Sequence, residues 1–190
     1  MEIDDEEISP ASKPFSLDGI QLTCKFLNVR NETTIILSND DLTVRKIGYG
    51  WFTIGIDSAI DFTSGFGKYF IKFQIDKNTD CNGIGAVEKS YQYGGVNQTI
   101  LGYESGGKSW SWFTYSYHTG FISNLVNFGT PDDYVMGDIV KLVFDASDRS
   151  ITYYRNDELV SKPFMELDVD EIIPAVTVCG DGDQITIINY

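Results

Sequence analysis

The chain has 190 residues, enough for one domain with a full core. Its formal net charge of −14 speaks against non-specific nucleic-acid or anionic-membrane binding, both of which need a basic surface. No apolar run is long enough to span a bilayer as a helix, and Glu2 to Glu7 give an acidic start that lacks the apolar segment of a secretory leader.

Phe, Tyr and Gly are abundant, and no stretch holds helical periodicity over three turns, so the composition predicts an all-β protein. Residues 1–14 read as an acidic disordered tail with Pro10 and Pro14, and 15–190 as the folded domain. Leu22 to Phe26 alternates as a first strand, and Thr33 to Leu37 is a stronger one. Ser38-Asn39-Asp40-Asp41 is a turn cluster, from which Leu42 to Arg45 returns. Ile47 to Ala59, with Trp51, reads as a loop or irregular strand.

Lys68 to Ile75 predicts a strand whose Tyr69, Ile71, Phe73 and Ile75 share one apolar face. Gly83 to Val87 is a strand of small residues, suited to close approach of another segment. Lys89 to Gly107 reads as long loops. Ser109 to Phe113 is a strand with Trp110 and Trp112 on one face, expected to fill the core. From Met136 to Tyr190 come short apolar runs that read as a β-meander, with Asn156-Asp157 as a tight hairpin turn. About ten to thirteen short strands imply two packed antiparallel sheets.

Cys24, Cys81 and Cys179 are odd in number and far apart, which predicts free thiols in a reducing compartment and no disulfide framework. The expected location is cytoplasmic, or nuclear. One histidine, His118, sits in no nucleophile motif, and a zinc site needs more paired ligands than the chain offers. Asp181-Gly182-Asp183 and Asp145 with Asp148 read as turn formers rather than calcium ligands. Neither an enzyme nor any cofactor or metal is expected.

Six segments in order resemble the SPRY domain family. Gly65 to Phe73 is similar to its "S-G-x-H-Y-W-E-V" strand, with Phe70 for the usual Trp. Ile84 to Val87 resembles "V-G-V-A", and Ser109 to Trp112 resembles "S-W-G-W". Gly137 to Val140 with Asp145 matches "G-D-x-I-…-L-D". Tyr153 to Leu159 resembles "L-x-F-x-x-N-G-x-x-L-G", with Asp157 for the turn Gly, and Ile173 to Thr177 resembles "Y-P-A-V-S". The motifs look most similar to the SPRY domains of SOCS-box adaptors, in which a Tyr and a Val-Trp-Gly segment help to hold an Asn-rich peptide. Those positions are Asn97 and Val178-Cys179-Gly180 here, so the pocket place is kept with different chemistry.

The resemblance implies a concanavalin-type jelly-roll β-sandwich, SPRY-like, that binds a protein or peptide through its loops, as an adaptor in ubiquitination or signalling. It is expected to be a monomer without nucleic-acid or membrane partners. A lectin-like carbohydrate-binding sandwich and a structural docking domain are the other readings. The expected partner-binding residues are Arg45 and Lys46 for charged hydrogen bonds and Tyr49, Trp51 and Tyr103 as anchors. Asn97, Val178, Cys179 and Gly180 set register.

Overall fold

The structure, a computed structural model, describes residues 19–27, 34–79, 81–91, 101–103, 107–115 and 120–190. Fifteen strands run through them: β1 (Ile20–Gln21), β2 (Ile35–Ser38), β3 (Thr43–Lys46), β4 (Phe52–Gly55), β5 (Ile60–Asp61), β6 (Lys68–Lys77), β7 (Cys81–Glu88), β8 (Ser109–Tyr115), β9 (Gly120–Ser123), β10 (Val126–Asn127), β11 (Ile139–Asp145), β12 (Ser150–Arg155), β13 (Glu158–Phe164), β14 (Glu171–Val178) and β15 (Gln184–Ile188). No helix occurs among the described residues.

The strands form two sheets. One has eight strands in the order β13-β12-β11-β6-β15-β3-β2, with β1 added in parallel to β6. The other has seven, in the order β10-β9-β8-β7-β14-β4, with β5 beside β14. All other pairings are antiparallel. The sheets face each other as a sandwich, and the alternation of side chains sorts each strand into an inner and an outer row.

That sorting builds the core. On β6, Ile71, Phe73 and Ile75 are wholly buried and point inward. On β8, Trp110 and Trp112 both enter the core, where the Trp112 ring stands edge-on to Tyr134 at 5.0 Å and to Tyr153 at 6.2 Å. Gly85 on β7 is needed because a Cβ there would lie 1.8 Å from the Trp110 carbonyl oxygen. Turn chemistry sets the hairpins. Asn156 and Asp157 take φ of 53° and 65° between β12 and β13, as a two-residue turn with both φ positive requires. The free edge of β13 carries Pro163 and register shifts, both of which blunt an edge against further pairing.

The last third departs from the expected meander. β11, β12 and β13 are consecutive neighbours, but β14 crosses to the seven-stranded sheet. β15 then returns to the other sheet, between β6 and β3. Period-2 patterning shows which residues form strands, not which sheet a strand joins. Ile47 to Ala59 is also more regular than expected, because Phe52–Gly55 pairs in full with β14. Leu22 to Phe26 contributes only an isolated bridge, Phe26 to Ile56.

Candidate functional site

The chain leaves β14 at Val178 and turns through Cys179-Gly180-Asp181-Gly182-Asp183 before β15. Asp183 organises this corner. Its buried carboxylate accepts hydrogen bonds from the Thr79 amide and hydroxyl, both at 2.7 Å. It also accepts from the amides of Gly180 at 2.6 Å and Cys179 at 3.3 Å. A buried carboxylate is tolerated only with such a set of donors. Gly180 has no room for a side chain, since a Cβ would lie 1.9 Å from the Thr79 hydroxyl.

The loop between β3 and β4 is fastened to this corner. The Gly50 amide donates to the Cys179 carbonyl at 3.0 Å, and the Gly48 amide to the Asp181 carboxylate at 2.7 Å. Gly182 donates to the Lys46 carbonyl, and the Lys46 amide to the Asp183 carbonyl. The two loops are therefore one surface unit.

This unit ends in aromatic rings on the outer face of the seven-stranded sheet. Trp51 packs on Phe113 with ring centroids 5.5 Å apart and meets Tyr115 edge-on at 6.1 Å. Tyr103 stands edge-on to Phe113 at 5.7 Å. Cys81, Phe113 and Ile122 form the buried floor, and Trp51, Tyr103, Tyr115 and Cys179 are packed against it, half-buried. Tyr103 is delivered by residues 101–103, which lie across the sheet. The Leu101 amide donates to the Thr177 hydroxyl, and the Ser111 hydroxyl to the Leu101 carbonyl. The Gly102 amide donates to the Ser109 hydroxyl.

Cys81 and Cys179 join beneath the rim. Val178 pairs with Asn82, so the next positions outward, Cys179 and Cys81, face each other, and they form a disulfide with Cα atoms 5.7 Å apart. The expectation of three free thiols is thus corrected, because strands far apart in sequence become neighbours here. Only Cys24 is free, and burial, with Asp57 nearby, pushes its thiol up to about 12.

The expected binding residues divide. Trp51, Tyr103 and Cys179 come together at this corner, while Tyr49 is 82% exposed on the β3–β4 loop. Asn97 lies outside the described residues. Four others sit elsewhere or are enclosed. Val178 is wholly buried and faces the core between the sheets. Gly180 is buried and spends its amide on Asp183. Lys46 is 1% exposed and its ammonium donates to the Ile47 carbonyl at 2.7 Å. Burial lowers its pKa, countered by Asp181 and Asp183. Arg45 alternates with the buried Val44 and Lys46 and pairs with Ile36 and Gln184. It therefore faces out from the eight-stranded sheet, away from Trp51. Runs of charge beside an aromatic loop do not reveal that strand parity separates them.

Phe113, Tyr115, Ile122 and Thr79 complete the corner without having been singled out, and Asp183 reads in the sequence only as a turn former. For two of them a signal existed. The parity that sends Trp110 and Trp112 inward must send Phe113 and Tyr115 outward. Trp110 is only 6% exposed and lies in the core, as expected. Asp145 accepts from Ser147 and Asp148 from Ser150, as turn formers do. Among the described residues, no three His, Cys, Asp or Glu side chains converge as metal ligands. His118 lies outside those residues. The corner offers aromatic rings on an apolar floor, which suit recognition by packing.

Comparison with known proteins places this architecture. The family profile of the SPRY domain matches residues 68–189. The fold is similar to the SPRY domain of human HERC1, with a TM-score of 0.58 at 17% identity, covering 80% of this chain and 91% of that one. It is also similar to the TRIM65 PSpry domain, with a TM-score of 0.69 at 10% identity over 90% and 94% of the two chains. Stonustoxin matches 99% of this chain and 32% of its own, with a TM-score of 0.61 at 11% identity. No curated protein sequence matches the chain.

Proposed function

This chain belongs to the SPRY domain family, a family of protein-interaction modules, and we propose that it captures an exposed loop or short peptide of a partner protein. The capture takes place at the corner formed by the β3–β4 loop, the β14–β15 turn and Tyr103. One observation carries this reading. Trp51, Tyr103, Tyr115 and Cys179 are packed around a buried apolar floor but left half-open to solvent. Half-buried Trp and Tyr on a prepared floor are the residue types that concentrate binding energy at interfaces. The backbone beside Trp51 and Cys179 is already fixed by Gly50 and Asp183, so little ordering cost remains there on binding.

The role is that of an adaptor, with recognition by surface complementarity and no bond-making step. The SOCS-box type of peptide pocket is not carried over, because Cys179 occupies the place of its Trp. The test is affinity capture from the source cell with quantitative mass spectrometry, comparing the unaltered chain with Trp51→Ala/Tyr103→Ala. A set of proteins lost with the double variant supports the reading. An unchanged set, with the variant folded, rejects this face.

A further inference from the structure

We infer that the Cys81–Cys179 pair is a thiol-controlled latch that sets the shape of the Trp51 corner. This inference concerns regulation of the proposed binding face and rests on that reading for its purpose, though not for its chemistry. Four observations carry it.

The two cysteines are directly opposed on neighbouring strands, one position beyond the last β7–β14 pair. They therefore meet without rearrangement of the sheet. Their exposure is unequal. Cys81 is buried in the floor with Phe113 and Ile122, whereas Cys179 is half-buried at the rim with Trp51. An incoming thiolate thus reaches the Cys179 sulfur first. The corner is also held independently of the disulfide, by Asp183 bonded to Thr79, Cys179 and Gly180 and by Gly50 bonded to the Cys179 carbonyl. Cleavage of the bond then loosens a side chain rather than the fold. Finally, the third cysteine does not compete. Cys24 lies in the separate core between the sheets, and burial keeps its thiol protonated, so it supplies no attacking thiolate.

The step is a two-electron exchange. A thiolate of a small dithiol or of glutathione attacks the Cys179 sulfur, and the Cys81 sulfur leaves and takes a proton. A second reductant thiol then releases Cys179 as a thiol, and the reductant departs as its own disulfide. Two unbonded sulfurs cannot remain at bonding distance. Cys81 is enclosed, so the Cys179 side chain is the one that turns outward, into the space beside Trp51. The bonded form leaves the rim open above the floor, and the reduced form places a thiol in it.

The experiment uses the full chain without a partner. It is treated with dithiothreitol or with oxidised glutathione, and free thiols are counted by alkylation under denaturing conditions and intact mass. One thiol is expected in the oxidised form and three in the reduced form. The indole and amide resonances of both forms are then compared by nitrogen-15 NMR. Reduction is expected to shift Trp51, Gly50 and Phe113, to leave Trp112 unmoved, and to have no effect on Cys81→Ser/Cys179→Ser. Three thiols after oxidation, or an unmoved Trp51, would overturn the latch. So would equal movement of Trp112, which would make the disulfide a structural staple. None of these readouts involves partner capture, so failure of the latch and failure of the proposed binding face are distinguishable.

Discussion

The two outer faces of this sandwich are built on opposite plans. Outside the eight-stranded sheet, lysines of β6 and β11 are paired with carboxylates. Lys72 and Lys141 both meet Asp157, Lys68 meets Asp145, and Lys141 lies over the Tyr154 ring. Outside the seven-stranded sheet, one end carries the cluster of Trp51, Tyr103, Phe113 and Tyr115. The same strand geometry supports both. The difference lies in what alternates with the core residues: Lys and Asp on β6 and β11, Phe and Tyr on β8. A face of mutually satisfied charges has little to gain from a partner, whereas half-open rings over an apolar floor gain by covering.

That contrast is broken most severely at Asp183. Asp183→Ala leaves the amides of Thr79 and Gly180 without their acceptor, and about 3 kcal/mol of stability should be lost, read from urea unfolding. Asp183→Asn, which keeps one acceptor oxygen, should lose less. Next in size is Trp51→Ala. Its half-buried ring should cost only about 1 kcal/mol of folding stability, while partner affinity, measured by surface plasmon resonance once a partner is in hand, should fall roughly 30-fold.

The charged face should show itself through pH. Burial would raise the Asp145 carboxyl, but the Ser147 hydrogen bonds and Lys68 outweigh it and hold the carboxyl below its usual 3.8. The Lys141 hydrogen bond, opposed by desolvation and helped by Lys72, does the same for Asp157. Groups lowered on folding contribute stability above their unfolded pKa and lose it as pH falls through the folded value. Unfolding midpoints should therefore drop below about pH 4 and stay level toward neutrality. Lys68 is raised by Asp145, so its share persists below its usual 10.5 and disappears only as pH rises beyond that. Lys68→Met should flatten the acid limb. Smallest of all, Lys72→Ala should cost about 0.5 kcal/mol or less, because its partner Asp157 keeps Lys141 and is largely exposed.

Much of the sandwich was legible in the sequence because its signals are local. Alternation on β6, the paired tryptophans on β8 and the Asn156-Asp157 turn each depend on adjacent residues alone. The family resemblance drew on the same segments. Trp51 and Tyr103 drew notice as rings in Gly-rich stretches, and the fold packs both on one floor. The directions of Arg45 and Lys46 were not legible, since they depend on which residues of β3 the opposite sheet buries. The disulfide was missed for a related reason. Its cysteines are 98 residues apart, and only the crossing of β14 to the seven-stranded sheet makes them neighbours. Asp183 looked like a turn residue, and only the fold brings Thr79 to it.

The most direct test of the central claim places a photoreactive benzoylphenylalanine at Tyr49, exposed on the β3–β4 loop that carries Trp51, or at Thr152, on the outer row of β12. Each protein is irradiated in extract of the source cell and the cross-linked products are identified. The account predicts a discrete partner adduct from Tyr49, lost when Trp51→Ala is added, and none from Thr152. An adduct from Thr152 with none from Tyr49 would place the binding face on the other sheet and contradict it.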